Sequence, residues 1–202
     1  MSRDPAGAGV RAILLDVEGT TTPIAFVLDV LFPYARRHLR QYVDDATAAH
    51  FESLMDRNSK STELKTLQGK IWDEGFRRGE LVSDVFADVP AAFARWRGRG
   101  LQLGIFSSGS VLAQQLIFRH APAGDLTQYL RWYFDTTTGA KNDVESYRRI
   151  AAAMEIPPES IVFISDVIGE LDAARAAGMQ TRLAVRPGNA PPPDGHGYMT
   201  WP

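Results

Sequence analysis

Short, uninterrupted apolar runs alternate with stretches of helical period, and this alternation constrains the chain more than any other feature. Ala12-Ile13-Leu14-Leu15-Asp16-Val17 shows no helical spacing and no polar residue before Asp16. It reads as a strand buried on both faces and ending in an acid. Similar runs occupy residues 101–106, 161–165 and 180–185, with a weaker one at Tyr133-Phe134-Asp135. Between them the spacing predicts helices. Ser110 is placed to cap one that runs through about Arg119; residues 144–154 and 169–177 form two more, and Gly178 stands where a helical stop belongs. Strands alternating with helices predict an α/β fold, a doubly wound and mainly parallel sheet covered on both faces.

Residues 24–89 break the alternation. Val27, Val30, Leu31 and Tyr34 follow helical spacing, as do Leu64, Leu67, Gln68 and Ile71, and no convincing strand lies among them. The pattern predicts a helical cap (24–89) inserted after the first strand of a core built from residues 11–23 and 90–189. Pro90 suits the first turn of the helix that returns to the core. Residues 1–10 and 190–202, the latter with Pro191-Pro192-Pro193, are expected to be flexible termini.

Composition excludes several chemistries. The 202 residues include no cysteine, which removes disulfides, thiolate catalysis and cysteine-ligated metal. The four histidines, His38, His50, His120 and His196, are scattered rather than paired at metal-ligand spacing. A net charge of −2 gives no global attraction to nucleic acid or to an anionic membrane. The first ten residues lack an apolar signal core, and no run approaches the ~20 residues of a membrane span. A cytoplasmic location is expected, with no nucleic-acid or membrane partner.

The strand ends carry the chemistry. In a doubly wound sheet, ligands bind beyond the carboxyl ends of the strands. The first strand delivers Asp16, Glu18, Gly19 and Thr20, and the second delivers Ser107-Ser108-Gly109-Ser110. The segment after Asp135 delivers Thr136 to Gly139 and then Lys141, and the fourth strand delivers Ser165-Asp166, followed by Glu170. Carboxylates with a backbone carbonyl form a hard oxygen site suited to Mg²⁺. Hydroxyls, backbone N–H groups at a helix start and a lysine hold phosphate oxygens, and a carboxylate can accept a phosphoryl group. Taken singly, each feature is more often a loop residue or a helix cap; the joint order of acid, hydroxyl, lysine and acid is what points to phosphoryl transfer.

That order resembles the haloacid dehalogenase superfamily of phosphotransferases, with Asp16, Glu18 and Thr20 as its first motif, Ser107 as its second, Lys141 as its third, and Asp166 with Glu170 as its fourth. Within the superfamily the sequence is similar to the enolase-phosphatase family of methionine salvage, the acireductone synthases. Asp16-Val17-Glu18-Gly19-Thr20-Thr21, residues 29–35, Leu67-Gln68-Gly69-Lys70-Ile71-Trp72 with residues 73–76, residues 107–110, 133–139 and 165–174, and Arg186-Pro187-Gly188-Asn189 carry the likeness.

The resemblance implies a reaction: 2,3-diketo-5-methylthiopentyl-1-phosphate is enolised and then dephosphorylated to the acireductone 1,2-dihydroxy-3-keto-5-methylthiopentene. It implies Asp16 as nucleophile and ligand of one Mg²⁺ per chain, and Asp166 as a second metal ligand. Glu18 is implied as metal ligand through its carbonyl and as general acid/base through its carboxyl. Ser107, Ser108 and Lys141 are implied as the phosphate holders, and a monomer as the assembly. The alternatives are a Mg²⁺-dependent phosphatase for another small phosphoester with no enolase step, and a non-catalytic phosphoryl-binding module. The segment 44–60 looks shorter than the family's usual cap, and little sequence follows Asn189. Simple phosphatases of the superfamily carry Asp where this chain has Glu18; the longer arm reaches about 1.5 Å further, enough to serve both the leaving oxygen and the enolisation proton. Trp72 and Phe76 are an i, i+4 pair that suits either cap core or a wall for the methylthio group.

Overall fold

The computed structural model describes residues 7–57, 59 and 61–201. One parallel sheet runs through it in the order β3-β2-β1-β4-β5-β6. Its strands are β1 (Ala12–Leu15), β2 (Gln102–Phe106), β3 (Leu130–Phe134), β4 (Ile161–Ser165), β5 (Gln180–Ala184) and β6 (Thr200–Trp201). The unbroken apolar character of β1 follows from its central place. Ile13 and Leu15 enter one apolar layer while Ala12 and Leu14 enter the other, so every position faces a core. Helices α4 (Val89–Gly98) and α5 (Val111–Arg119) cover the first face, and α6 (Val144–Met154) and α7 (Ile168–Ala176) cover the second. β3 lies at the sheet edge with its residues only half buried and Arg131 exposed, which explains its weak apolar run.

Between β1 and α4 the chain is helical. A π-helical turn (Phe26–Leu31) leads into α1 (Phe32–His38), followed by α2 (Asp45–Asp56) and α3 (Thr62–Arg77). The wide turn changes the buried face. Val27, Leu31 and Tyr34 are buried as their spacing predicts, but Val30 is exposed, because a π turn bonds i to i+5 and rotates side chains off the α-helical stripe. On α3, Leu64, Gln68 and Ile71 are buried and Leu67 is partly so. The apolar residues of α1 to α3 share one continuous core with the first face of the sheet. Pro90 occupies the first turn of α4.

The chain end differs from the flexible terminus expected for residues 190–202. Thr200–Trp201 pairs with β5, and Trp201 is buried against Trp96 at 5.8 Å between ring centres, with the Arg186 guanidinium 4.0 Å above its ring. Tyr198 is buried as well, and its hydroxyl donates to Asp172. Two aromatic anchors thus outweigh the proline and glycine content. The expected flexible lead-in falls largely on residues 1–6, which lie outside the described residues, as does Pro202. Among the described residues no helix is long and apolar enough to cross a membrane.

Candidate active site

β1 ends between β2 and β4. Pairing of Leu15 with Ile105 and with Ile164 sets Asp16 at the rim, next to the strand ends that lead into Ser107 and Asp166. This is the point where strand order reverses and a crevice opens.

Asp16 is 4% exposed. Its Oδ1 accepts from the Val17 N–H at 2.7 Å and lies 2.6 Å from Lys141 Nζ. Lys141 Nζ also lies 2.7 Å from Glu170 Oε2, and Ser165 Oγ donates to that same oxygen at 2.8 Å. Burial works against the charge on Lys141, but Asp16 and Glu170 outweigh it and hold its pKa above the ordinary lysine value. The Glu170 carboxyl is pushed up, first by burial and then by the charge of Asp16, with Lys141 pulling the other way. α6 aims the lysine: Tyr147 Oη donates to the Lys141 carbonyl at 2.6 Å, and Ser146 Oγ donates to the Ala140 carbonyl at 2.7 Å.

The loop after Asp16 is a tight knot. The N–H groups of Thr20, Thr21 and Thr22 converge on the Val17 carbonyl at 3.2, 2.9 and 2.9 Å, and Gly19 adopts φ +73°. A Cβ on Gly19 would stand 2.4 Å from Asp166 Oδ2, so only glycine lets this carboxyl reach the loop. Asn189 Nδ2 donates to the Gly19 carbonyl at 2.8 Å and to Asp166 Oδ2 at 3.2 Å. Arg186 Nε donates to the Thr20 carbonyl at 2.8 Å, and its Nη1 donates to Asp88 at 2.9 Å. Asp166 is pushed up to about 6 by burial and then by the charge of Asp16.

The second loop is held as firmly. The Ser107 N–H donates to the Phe134 carbonyl at 3.1 Å, and the Gly109 N–H donates to Ser107 Oγ at 3.0 Å. Gln114 Nε2 donates to the carbonyls of Gly109 and Phe134, both at 2.9 Å. Ser110 caps α5 by accepting from the Ala113 N–H at 3.3 Å, as its position predicts.

A cavity of about 470 Å³ opens between this rim and the helices of residues 26–77. Glu18, Ser107 and Ser108 stand at the rim end; Leu31, Phe32, Leu64, Trp72 and Ile117 supply apolar wall; Lys65 and Gln68 add polar groups. Of the predicted site residues, Glu18, Ser107 and Ser108 therefore line the cavity, while Asp16, Lys141 and Asp166 gather beside them. Lys141 contacts the acids rather than the cavity. Trp72 is buried, its Nε1 donates to the Leu31 carbonyl at 2.8 Å, and it lines the cavity. Phe76 is core only, stacked on His120 at 4.8 Å.

The donor set fits a hard divalent cation. Asp16, Glu170 and Asp166 set three carboxyl groups against the single ammonium of Lys141, and Asp166 Oδ1 is buried without a hydrogen-bond partner among the described residues. No group of three or more acidic, histidine or cysteine side chains converges as a metal cage among those residues. Two carboxylates and a carbonyl, completed by water and substrate oxygens, are the arrangement Mg²⁺ favours.

Sequence reasoning missed several residues. Gln114 stands four residues after Ser110 on the buried side of α5, and a polar residue on an apolar face was the available signal. Asn189 lies in the Arg186-Pro187-Gly188-Asn189 motif, but its bond to Asp166 spans 23 positions and leaves no local signal. The bond from Lys65 Nζ to Thr136 Oγ1, at 2.8 Å, joins residues far apart in sequence and left no local signal.

Comparison with known proteins agrees with this geometry. The haloacid dehalogenase-like hydrolase family matches residues 10–178. Enolase-phosphatase E1 of Synechococcus elongatus is 44% identical, with 92% of this chain and 93% of that protein covered. Enolase-phosphatase E1 of Sorangium cellulosum is 45% identical, with 92% of each covered. The crystal structure of the UTR4 protein of Saccharomyces cerevisiae superposes with a TM-score of 0.87 at 35% identity, covering 95% of this chain and 97% of that one. The chain belongs to the haloacid dehalogenase-like hydrolases and, within them, to the enolase-phosphatase family.

Proposed function

We propose that this chain is a Mg²⁺-dependent enolase-phosphatase that converts 2,3-diketo-5-methylthiopentyl-1-phosphate to the acireductone and phosphate, in methionine salvage. The observation that carries the reading is the joining of Asp16, fixed by Lys141, to a cavity whose rim is polar and whose far walls are apolar. A phosphate at Ser107 and Ser108 and a methylthio tail toward Trp72 and Leu31 match that gradient.

Asp16, the Glu18 carbonyl and Asp166 would hold the cation, which when bound neutralises phosphoryl charge and polarises the substrate carbonyls. The Glu18 carboxylate takes the proton from C1, and the enol oxygen takes its proton from water. Asp16 then attacks phosphorus, the ester oxygen leaves with the proton carried by Glu18, and an aspartyl-phosphate forms. Glu18, again a carboxylate, removes a proton from the water that hydrolyses this intermediate. Lys141 holds Asp16 in line and balances its charge, and Ser107 and Ser108 bind the phosphoryl oxygens. The helical segment 24–89 acts as a cap over the reaction. The protein works as a cytoplasmic monomer.

Anaerobic turnover of the diketo phosphate tests the reading. Enol absorbance should rise before or with phosphate release. Phosphate release without an enol would instead assign the chain to another phosphoester.

A further inference from the structure

Gln68 is only 5% exposed, lies on α3 and lines the cavity, yet its carboxamide meets no hydrogen-bond partner among the described residues. Its carboxamide is not sealed from solvent, and the cavity that Gln68 lines is where a partner can reach it. Lys65, three residues earlier, and Trp72, four later, lie on the same helix face and also line the cavity. The neighbouring Gly69 fixes the height of this face: a Cβ there would stand 3.0 Å from Leu112 Cδ2, so α3 seats directly on the start of α5, beside the loop that carries Ser107 and Ser108.

We propose that Gln68 is a specificity-determining residue, a substrate contact supplied by the cap that hydrogen-bonds the carbonyl oxygens in the carbon chain of the substrate. The assignment rests on the enolase-phosphatase reading. Chemistry selects the amide among the polar groups of the cavity. A vicinal diketone offers acceptors only, whereas its enol offers a donor beside an acceptor. A carboxamide carries both donors and an acceptor, so one neutral group bonds the oxygens before and after enolisation. The Lys65 ammonium only donates and the Glu18 carboxylate only accepts. Gln68 shares the cavity with Ser107 and Ser108 and with the apolar Leu31 and Trp72, so a substrate that reaches from one group to the other passes along the wall it belongs to.

The test compares two six-carbon alkyl phosphonates, one with a keto group at the second carbon and one without, titrated calorimetrically into the Mg²⁺-loaded enzyme. Wild type should bind the keto compound more tightly. In Gln68→Met, which keeps the volume, and in Gln68→Ala, that preference should fall by about fivefold, the worth of one neutral hydrogen bond. An undiminished preference in either variant overturns the assignment, as does failure of both variants to bind the plain phosphonate, which would make the residue structural. If instead the enolase reading fails, wild type releases phosphate from the diketo phosphate with no enol absorbance, while the phosphonate preference still falls in the variants.

Discussion

The backbone of Gly19 and the carboxyl of Asp166 meet so closely that a methyl group on Gly19 would stand 2.4 Å from Asp166 Oδ2, although 146 intervening residues separate the pair. The first motif loop and the fourth strand end are therefore one structural unit. Gly19→Ala should displace Asp166 and also strain a backbone held at φ +73°. The expected result is a stability loss of about 1 kcal/mol or more, with phosphate release reduced at least tenfold and the Mg²⁺ concentration for half-maximal rate raised. Rate measured against Mg²⁺ concentration checks this.

Lys141 sits between two carboxylates, so its removal leaves like charges facing each other in a buried site. Lys141→Met should lower stability by up to about 3 kcal/mol, moderated because burial already favours the protonated form of Glu170. Adding Glu170→Gln should restore most of that stability without restoring activity, since the group that holds Asp16 is still missing. Urea unfolding together with phosphate release separates the two effects.

Trp201 links the chain end to the site. It packs on Trp96 and under Arg186, and Arg186 holds the Thr20 carbonyl. Trp201→Ala should cost about 3–5 kcal/mol, as for other buried aromatic truncations, and should slow turnover by loosening the loop after Asp16. Thermal unfolding and kcat at a temperature where the variant stays folded check both parts.

The helices between β1 and α4 carry a pH dependence. Tyr34 donates to Glu80 at 2.7 Å and Tyr42 donates to Glu74; both phenols are raised to about 12, first by burial and then by these hydrogen bonds to carboxylates. A phenol whose folded pKa exceeds its unfolded value of about 10 stabilises the fold fully below about pH 10 and loses that contribution as pH rises toward 12. Urea midpoints across that range should fall more steeply for wild type than for Tyr34→Phe/Tyr42→Phe.

Much of this architecture was legible because burial on both faces leaves a one-dimensional mark. β1 and β4 are apolar at successive positions, and Ser110, Pro90 and Gly178 sit at helix ends where local chemistry requires them. The placement of Asp16, Glu18, Ser107, Ser108, Lys141 and Asp166 was legible because a parallel sheet brings successive carboxyl ends to one rim. What was hidden depends on contacts distant in sequence. The exposed Val30 reflects a π turn that spacing alone does not reveal, and β6 rests on the packing of Trp201 rather than on a strand-like run. Lys141 turned toward Asp16 and Glu170 rather than the cavity for the same reason: the carboxylates that attract it come from the end of β1 and from α7.

The proposed mechanism depends above all on attack of the Asp16 carboxylate on phosphorus at this rim. Asp16→Asn keeps the shape of the side chain and removes its nucleophilic charge. With saturating Mg²⁺ and the diketo phosphate as substrate, phosphate release should fall at least about a thousandfold below wild type, with the variant still folded. Release within tenfold of wild type would contradict it.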